Sequence, residues 1–172
     1  MPPTRRQALI VIDIQNDYFP EGRFALWEPD STLERIEAAI GRARERKIPV
    51  ILVQHISSDT APFFAPGTPG VEIHPRLLAA APEAPIIVKR HADSFLDTTL
   101  ETTLADHDVE ELLICGMMTQ NCVTHTALSR QADKYTVKVL ADCCTTVSRM
   151  IHLIALNALA ARVDVLPDAA AQ

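Results

Sequence analysis

Aromatic side chains are scarce in this chain, with one tryptophan, two tyrosines and five phenylalanines among 172 residues. Glycine is scarce too, at five. No glycine-rich loop follows the first apolar segment, so the usual phosphate cradle of a nucleotide-binding fold is missing. No apolar run approaches the roughly 20 residues needed to cross a bilayer. Positive charge is in deficit: 16 Lys+Arg against 22 Asp+Glu give a net charge of −6, which argues against nucleic acid or an anionic membrane as partner. The four cysteines, Cys115, Cys122, Cys143 and Cys144, lack disulfide-framework spacing, and a domain of this size needs no staples. The opening MPPTRRQ has neither the apolar region nor the small-residue cleavage site of a signal peptide. Reduced thiols and a cytoplasmic location are therefore expected.

What is present is an ordinary globular composition, 48% hydrophobic and 22% charged, in a length suited to one domain. Short, nearly all-apolar segments recur: Ala8 to Ile14, Val50 to Gln54, Pro85 to Val88, Leu112 to Gly116, Tyr135 to Ala141 and Arg162 to Leu166. Helical patterns lie between them. Ser31 and Glu34 suggest a capping box for a helix carrying Leu33, Ile36, Ile40 and Ala43 on one face. Thr98 and Glu101 suggest another helix start, and Asp142 to Thr146 a polar turn before the apolar helix Val147 to Ala161. The Ala169 to Gln172 tail reads as frayed. Strands alternating with helices predict a parallel sheet covered on both sides.

Ligands of open parallel sheets bind beyond the carboxyl ends of the strands. Asp13, Lys89 and Cys122 all fall at such ends, on the first, third and fourth strands. Each has a bland reading when taken alone. Asp13 could be a structural carboxylate bonded to loop amides, and Cys122 a small buried hydrophobe. Their convergence on one rim favours chemistry. In LLICGMMTQNCVTHT (Leu112 to Thr126), Cys122 lies where a helix should begin, and unpaired N–H groups there, together with Lys89, are expected to lower its pKa. Seven of the eight aromatics (Tyr18, Phe19, Phe24, Trp27, Phe63, Phe64, Phe95) follow strands in loops, suggesting a walled pocket or a subunit contact over the rim. The long irregular stretch His55 to Pro75 carries two of them, and loops of that length are usually functional or disordered.

Asp13 in VIDIQNDYF, Lys89 in IVKRHADSF and Cys122 in GMMTQNCV together resemble the Asp–Lys–Cys triad of the isochorismatase-like cysteine hydrolases, and GTPGVEIHP (Gly67 to Pro75) is similar to a further stretch of that family. The resemblance implies a three-layer α/β/α fold with a six-stranded, mostly parallel sheet of Rossmann-like topology. It implies Cys122 as nucleophile, Asp13 as its base and Lys89 as the cation orienting both. It also implies a cis peptide between Met117 and Met118, with the N–H groups of Met118 and Cys122 forming an oxyanion hole. Tyr18, Phe19, Trp27, Phe64 and Phe95 are the candidate substrate contacts, and the substrate is a small molecule.

Departures from the family narrow the activity. Its nicotinamidases hold a metal through an Asp-x-His and further histidines, whereas VQHISSDTAPFF has no such cluster and His55 and His74 stand apart, so neither metal nor cofactor is expected. Isochorismatases proper lack the nucleophilic cysteine. His125 is expected to cap a neighbouring turn, and Glu72 and His74 to brace the long loop. The leading expectation is a cysteine amidohydrolase acting on a small amide, ureide or carbamoyl compound through a thioester. The alternatives are nicotinamidase or isochorismatase activity, or a binding member without turnover. Apolar residues on more than one face of Val147 to Ala161 suggest a homo-oligomer, a dimer or tetramer.

Overall fold

The computed structural model describes residues 5–171. The signal-peptide reading of the first residues and the end of the tail, Gln172, fall partly or wholly outside them. Strands β1 (Gln7–Ile12), β2 (Val50–His55), β3 (Ile86–Lys89), β4 (Glu111–Met117), β5 (Thr136–Thr145) and β6 (Asp164–Leu166) form one sheet in the order β3-β2-β1-β4-β5-β6. Every pairing is parallel. Helices α1 (Pro29–Glu45), α2 (Pro75–Ala80), α3 (Leu100–Asp106), α4 (Thr124–Ala127), α5 (Arg149–Leu159) and α6 (Asp168–Ala171) flank it. Among the described residues no helix is long and apolar enough to cross a membrane.

The winding order places the site. The chain builds outward from β1 through β2 to β3, then returns to the other side of β1 and builds outward again through β4 to β6. The connections diverge at the carboxyl ends of β1 and β4, the position at which open parallel sheets bind their ligands. These two strands are also the most completely buried: Ala8 to Ile12 and Leu112 to Cys115 expose nothing to solvent. Such all-apolar strands can only lie in the middle of a sheet covered on both faces. Gly116 permits their close approach. It has φ +126°, and a Cβ there would overlap the backbone of Ile12.

Several boundaries differ from those expected. Helix α1 begins at Pro29, not at a Ser31 cap; Pro pre-sets the first helical φ, and the Ser31 hydroxyl donates back to the Glu28 carbonyl at 3.3 Å. Helix α3 begins at Leu100, and the hydroxyl of Thr98 ahead of it accepts from the N–H of Leu100 at 3.2 Å. Strand β5 does not stop at Ala141. After a register shift it continues through Asp142 and Cys143, pairing Cys144 with Gly116 and Thr145 with Met117. The tail is not frayed up to Ala171, which is helical and buried, and Arg42 pairs with the buried Asp168 beneath it.

Candidate active site

Asp13 follows β1 in a left-handed conformation (φ 56°), one that Asp tolerates better than most residues. Its N–H donates to Val53 O at 3.0 Å, and the turn leaves the carboxylate fully buried. Lys89, which sequence patterning places just after a strand, is the last residue of β3 and is 1% exposed. Cys122 lies in a π-helical turn, Thr119–Val123, that follows the cis Met117–Met118 peptide and leads into α4. The structure brings these three distant residues into contact. Lys89 Nζ lies 3.0 Å from Asp13 Oδ2 and 3.3 Å from Cys122 Sγ.

The electrostatics correct one expectation. Cys122 is not acidified: burial and the Asp13 carboxylate push its pKa above the ordinary 9.0, and the opposing pull of Lys89 is too small to reverse them. The helical stretch after β4 is short and irregular, a five-residue π turn running into a four-residue α-helix, so little dipole is available to stabilise a thiolate. For Lys89, burial favours the neutral amine, but Asp13 and then Cys122 outweigh it and the net shift is upward. At neutral pH the resting site therefore holds a thiol beside an ammonium. The chemistry available to it is transfer of the thiol proton to Asp13 as sulfur attacks an electrophile.

The loops above the rim are braced by buried polar side chains. Gln15 Nε2 donates to His55 O at 2.8 Å and to Val71 O at 2.7 Å, while Gln15 Oε1 accepts from the His55 N–H at 2.8 Å. Asp17 accepts from the N–H of Arg23 at 3.1 Å and of Phe64 at 2.7 Å. Gly70 packs so closely on that carboxylate that a Cβ would overlap it. His74 caps α2 by accepting from the Arg76 N–H, Glu72 O accepts from Asn16, and His125 Nδ1 meets Asn121 O at 2.9 Å. These three residues brace turns, as expected of them.

The aromatics divide. Tyr18 packs edge-on against Phe64, with ring centroids 4.6 Å apart, and also meets Phe63 and Phe24. Its phenol is pushed up by burial and by the nearby Asp13 and Cys122, which places it beside the triad. Trp27 stands near His152, whose Nδ1 meets the hydroxyl of Thr119 in the Cys122 turn at 2.8 Å. Phe19 instead lies against His74 and borders a separate groove of about 710 Å³, none of whose walls is a triad residue. Phe95 stacks on Tyr135 at the entry to β5. Phe19 and Phe95 thus make ring contacts apart from the Tyr18–Phe64 pair, since placement after a strand does not fix which way the loop then folds.

His55 is the residue that sequence patterning missed. It ends β2, directly opposite Lys89 in the β2–β3 register, and its Nδ1 is 2.7 Å from Lys89 Nζ. Donor atoms of Asp13, His55 and Cys122 all lie within 4.8 Å of one another, a spacing that could in principle hold a metal ion. The Lys89 ammonium already contacts all three groups, so a dication would meet a fixed positive charge in their midst. The donor set does not suit a metal while Lys89 remains there.

Comparison with known proteins assigns the chain to a family. The isochorismatase domain model matches residues 7–171. This chain belongs to the isochorismatase family. It is 40% identical over 146 residues to the uncharacterized isochorismatase family protein YddQ of Bacillus subtilis, covering 84% of this chain and 81% of that one. It is 37% identical over 123 residues to a streptothricin hydrolase of Streptomyces noursei, covering 70% of this chain but only 43% of that protein. The crystal structure of a family member from Oleispira antarctica superposes with a TM-score of 0.88 at 30% identity, covering 98% of this chain and 96% of that one.

Proposed function

We propose that this chain is a cysteine-dependent hydrolase that cleaves a C–N bond of a small amide, ureide or carbamoyl compound. The observation that carries the reading is the single contact cluster in which one buried ammonium touches both a buried carboxylate and a buried thiol. Membership in a family with a hydrolase relative fits the class of reaction.

In this reading the Cys122 proton moves to Asp13 as Sγ attacks the carbonyl carbon. The N–H groups of Met118 and Cys122 receive the oxyanion of the tetrahedral intermediate. Asp13 returns the proton to the leaving nitrogen, the C–N bond breaks, and ammonia or an amine departs from a thioester on Cys122. Water then gives a proton to Asp13 and attacks the thioester, and collapse releases the carboxylic or carbamic acid and restores the thiol. Lys89 stays charged throughout and compensates whichever of its neighbours is anionic. Tyr18, Phe64 and Trp27 form the apolar side of the substrate site.

The reading of a homo-oligomer rests on helix α5. Helix α5 turns His152, Ala155 and Leu159 inward and leaves Met150 and Ile154 more than half exposed. The test of the catalytic reading is ammonia release from a panel of small amides, ureides and carbamoyl compounds. At least one should be turned over, and Cys122→Ala should abolish that turnover; turnover surviving in Cys122→Ala overturns it.

A further inference from the structure

Lys89 has three N–H donors and meets four groups. Hydrogen-bond geometry holds for His55 Nδ1 at 2.7 Å, the His91 carbonyl at 3.0 Å and Cys122 Sγ at 3.3 Å. The fourth contact, Asp13 Oδ2 at 3.0 Å, is an ion pair only, and neither Asp13 carboxylate oxygen has a hydrogen-bond partner among the described residues. The three donors of Lys89 are thus directed mainly at its other neighbours, and the fully buried carboxylate is held by the ion pair alone. We propose that His55 is a positioning residue of this site, a neutral imidazole whose Nδ1 accepts one N–H of Lys89 and so fixes the direction in which the ammonium presents its remaining donors between Asp13 and Cys122. The inference rests on the hydrolase reading of the Asp13–Lys89–Cys122 cluster and assigns a further residue to it.

The placement of His55 suits this role. Its backbone is fixed on both sides by Gln15, at 2.8 Å for each bond, and the Ile56 N–H donates to Lys89 O at 3.0 Å. The ring lies 6.0 Å from that of Phe64. An ammonium can only donate, so Nδ1 must be unprotonated and Nε2 must carry the ring hydrogen. Charged and titratable groups face the ring from every neighbouring element: Lys89 from β3, His91 from the loop beyond it, Asp13 from the end of β1 and Cys122 from the turn after β4. Burial first, then Lys89, holds the imidazole pKa below its ordinary 6.5 against the pull of Asp13. Protonation would remove the acceptor and set a second cation against Lys89. With the acceptor gone, one Lys89 N–H is free to turn onto Asp13 and occupy the lone pair that must receive the thiol proton.

The experiment uses alkylation of Cys122 by iodoacetamide, followed by mass spectrometry of the labelled peptide, and needs no identified substrate. His55→Leu removes the acceptor, whereas His55→Asn places an amide oxygen close to the position of Nδ1 and cannot titrate. Near pH 7.5, His55→Leu should slow alkylation roughly tenfold or more, the worth of one charged hydrogen bond, and His55→Asn should recover most of that loss. In the wild type the rate should also fall in acid, at a pH below the range where an ordinary imidazole titrates, and in His55→Asn that fall should move to still lower pH. Wild-type alkylation in His55→Leu, equal loss in both variants, or the same acid limb in His55→Asn overturns the proposal. Should His55→Leu not fold, the rate and acid limb of His55→Asn still decide it. The hydrolase reading is tested separately by turnover in Cys122→Ala, so failure of one is not mistaken for failure of the other.

Discussion

Two environments hold the four thiols of this chain. Cys115, Cys143 and Cys144 lie in the sheet itself, at or near zero exposure, while Cys122 lies on the rim at 3%. Acidity does not separate them. Burial pushes Cys115 well up, does the same to Cys143, and raises Cys144 to about 12; it raises Cys122 as well. What separates them is what stands alongside. The core thiols meet one another, Asp142 and backbone, as in the contact of Cys144 Sγ with Leu140 O at 3.3 Å. Cys122 meets a buried base and a buried cation together. A thiol can thus be prepared for attack by a proton acceptor at hand, without first being made a thiolate.

The largest expected effect follows directly. Cys122→Ala should lower turnover by four orders of magnitude or so, as loss of a covalent nucleophile does elsewhere. Alanine at Cys115, Cys143 or Cys144 should leave the rate of the folded enzyme within about threefold, since none touches the cluster. A core variant matching Cys122→Ala in activity loss, while melting normally, would erase the distinction.

Next in size is the coupling of Asp13 and Lys89. Lys89→Met should destabilise the fold by about 3–5 kcal/mol, because it strands a fully buried carboxylate. In an Asp13→Asn background the same change should cost much less, since no unpaired charge remains. A urea double-mutant cycle measures this. Additive effects would mean that the pair does not act as a unit.

A smaller effect concerns pH. Because the Cys122 pKa lies above 9.0, direct thiolate formation should make iodoacetamide labelling climb beyond pH 9, not level off below neutrality. A plateau reached below pH 7 followed by no further rise would show a pre-formed thiolate and restore the helix-dipole account. The smallest effect is that of chelator: dialysis against EDTA should leave activity within about twofold, because Lys89 stands among the only three-donor group found among the described residues.

Much of this was legible in sequence because β1 and β4 are apolar on both faces, and a chain that alternates them with helices has few alternatives to a parallel sheet. That arrangement put Asp13, Lys89 and Cys122 at strand ends without any coordinates. His55 was not legible in the same way. A lone histidine closing VILVQH carries no spacing signal, and its role depends on the parallel register that sets it opposite Lys89. Position at a helix start predicts the wrong direction for the Cys122 shift, because it takes no account of burial or of the Asp13 charge. The continuation of β5 through Asp142 was hidden by its polarity, and only pairing with β4 beyond Gly116 sustains it. Helix α5 reads from either side: its apolar residues predict burial, yet Met150 is 70% and Ile154 62% exposed, so replacing both by Lys should dissociate an oligomer detected by light scattering.

The most direct test of the central claim is the rate of Cys122 alkylation near pH 7.5 in Asp13→Asn against the wild type, with the three core cysteines as internal references. If Asp13 takes the thiol proton, labelling at Cys122 should fall by roughly two orders of magnitude, within the usual worth of a general base, and labelling of the others should not change. If Cys122 in Asp13→Asn labels as fast as in the wild type, Asp13 is not its base.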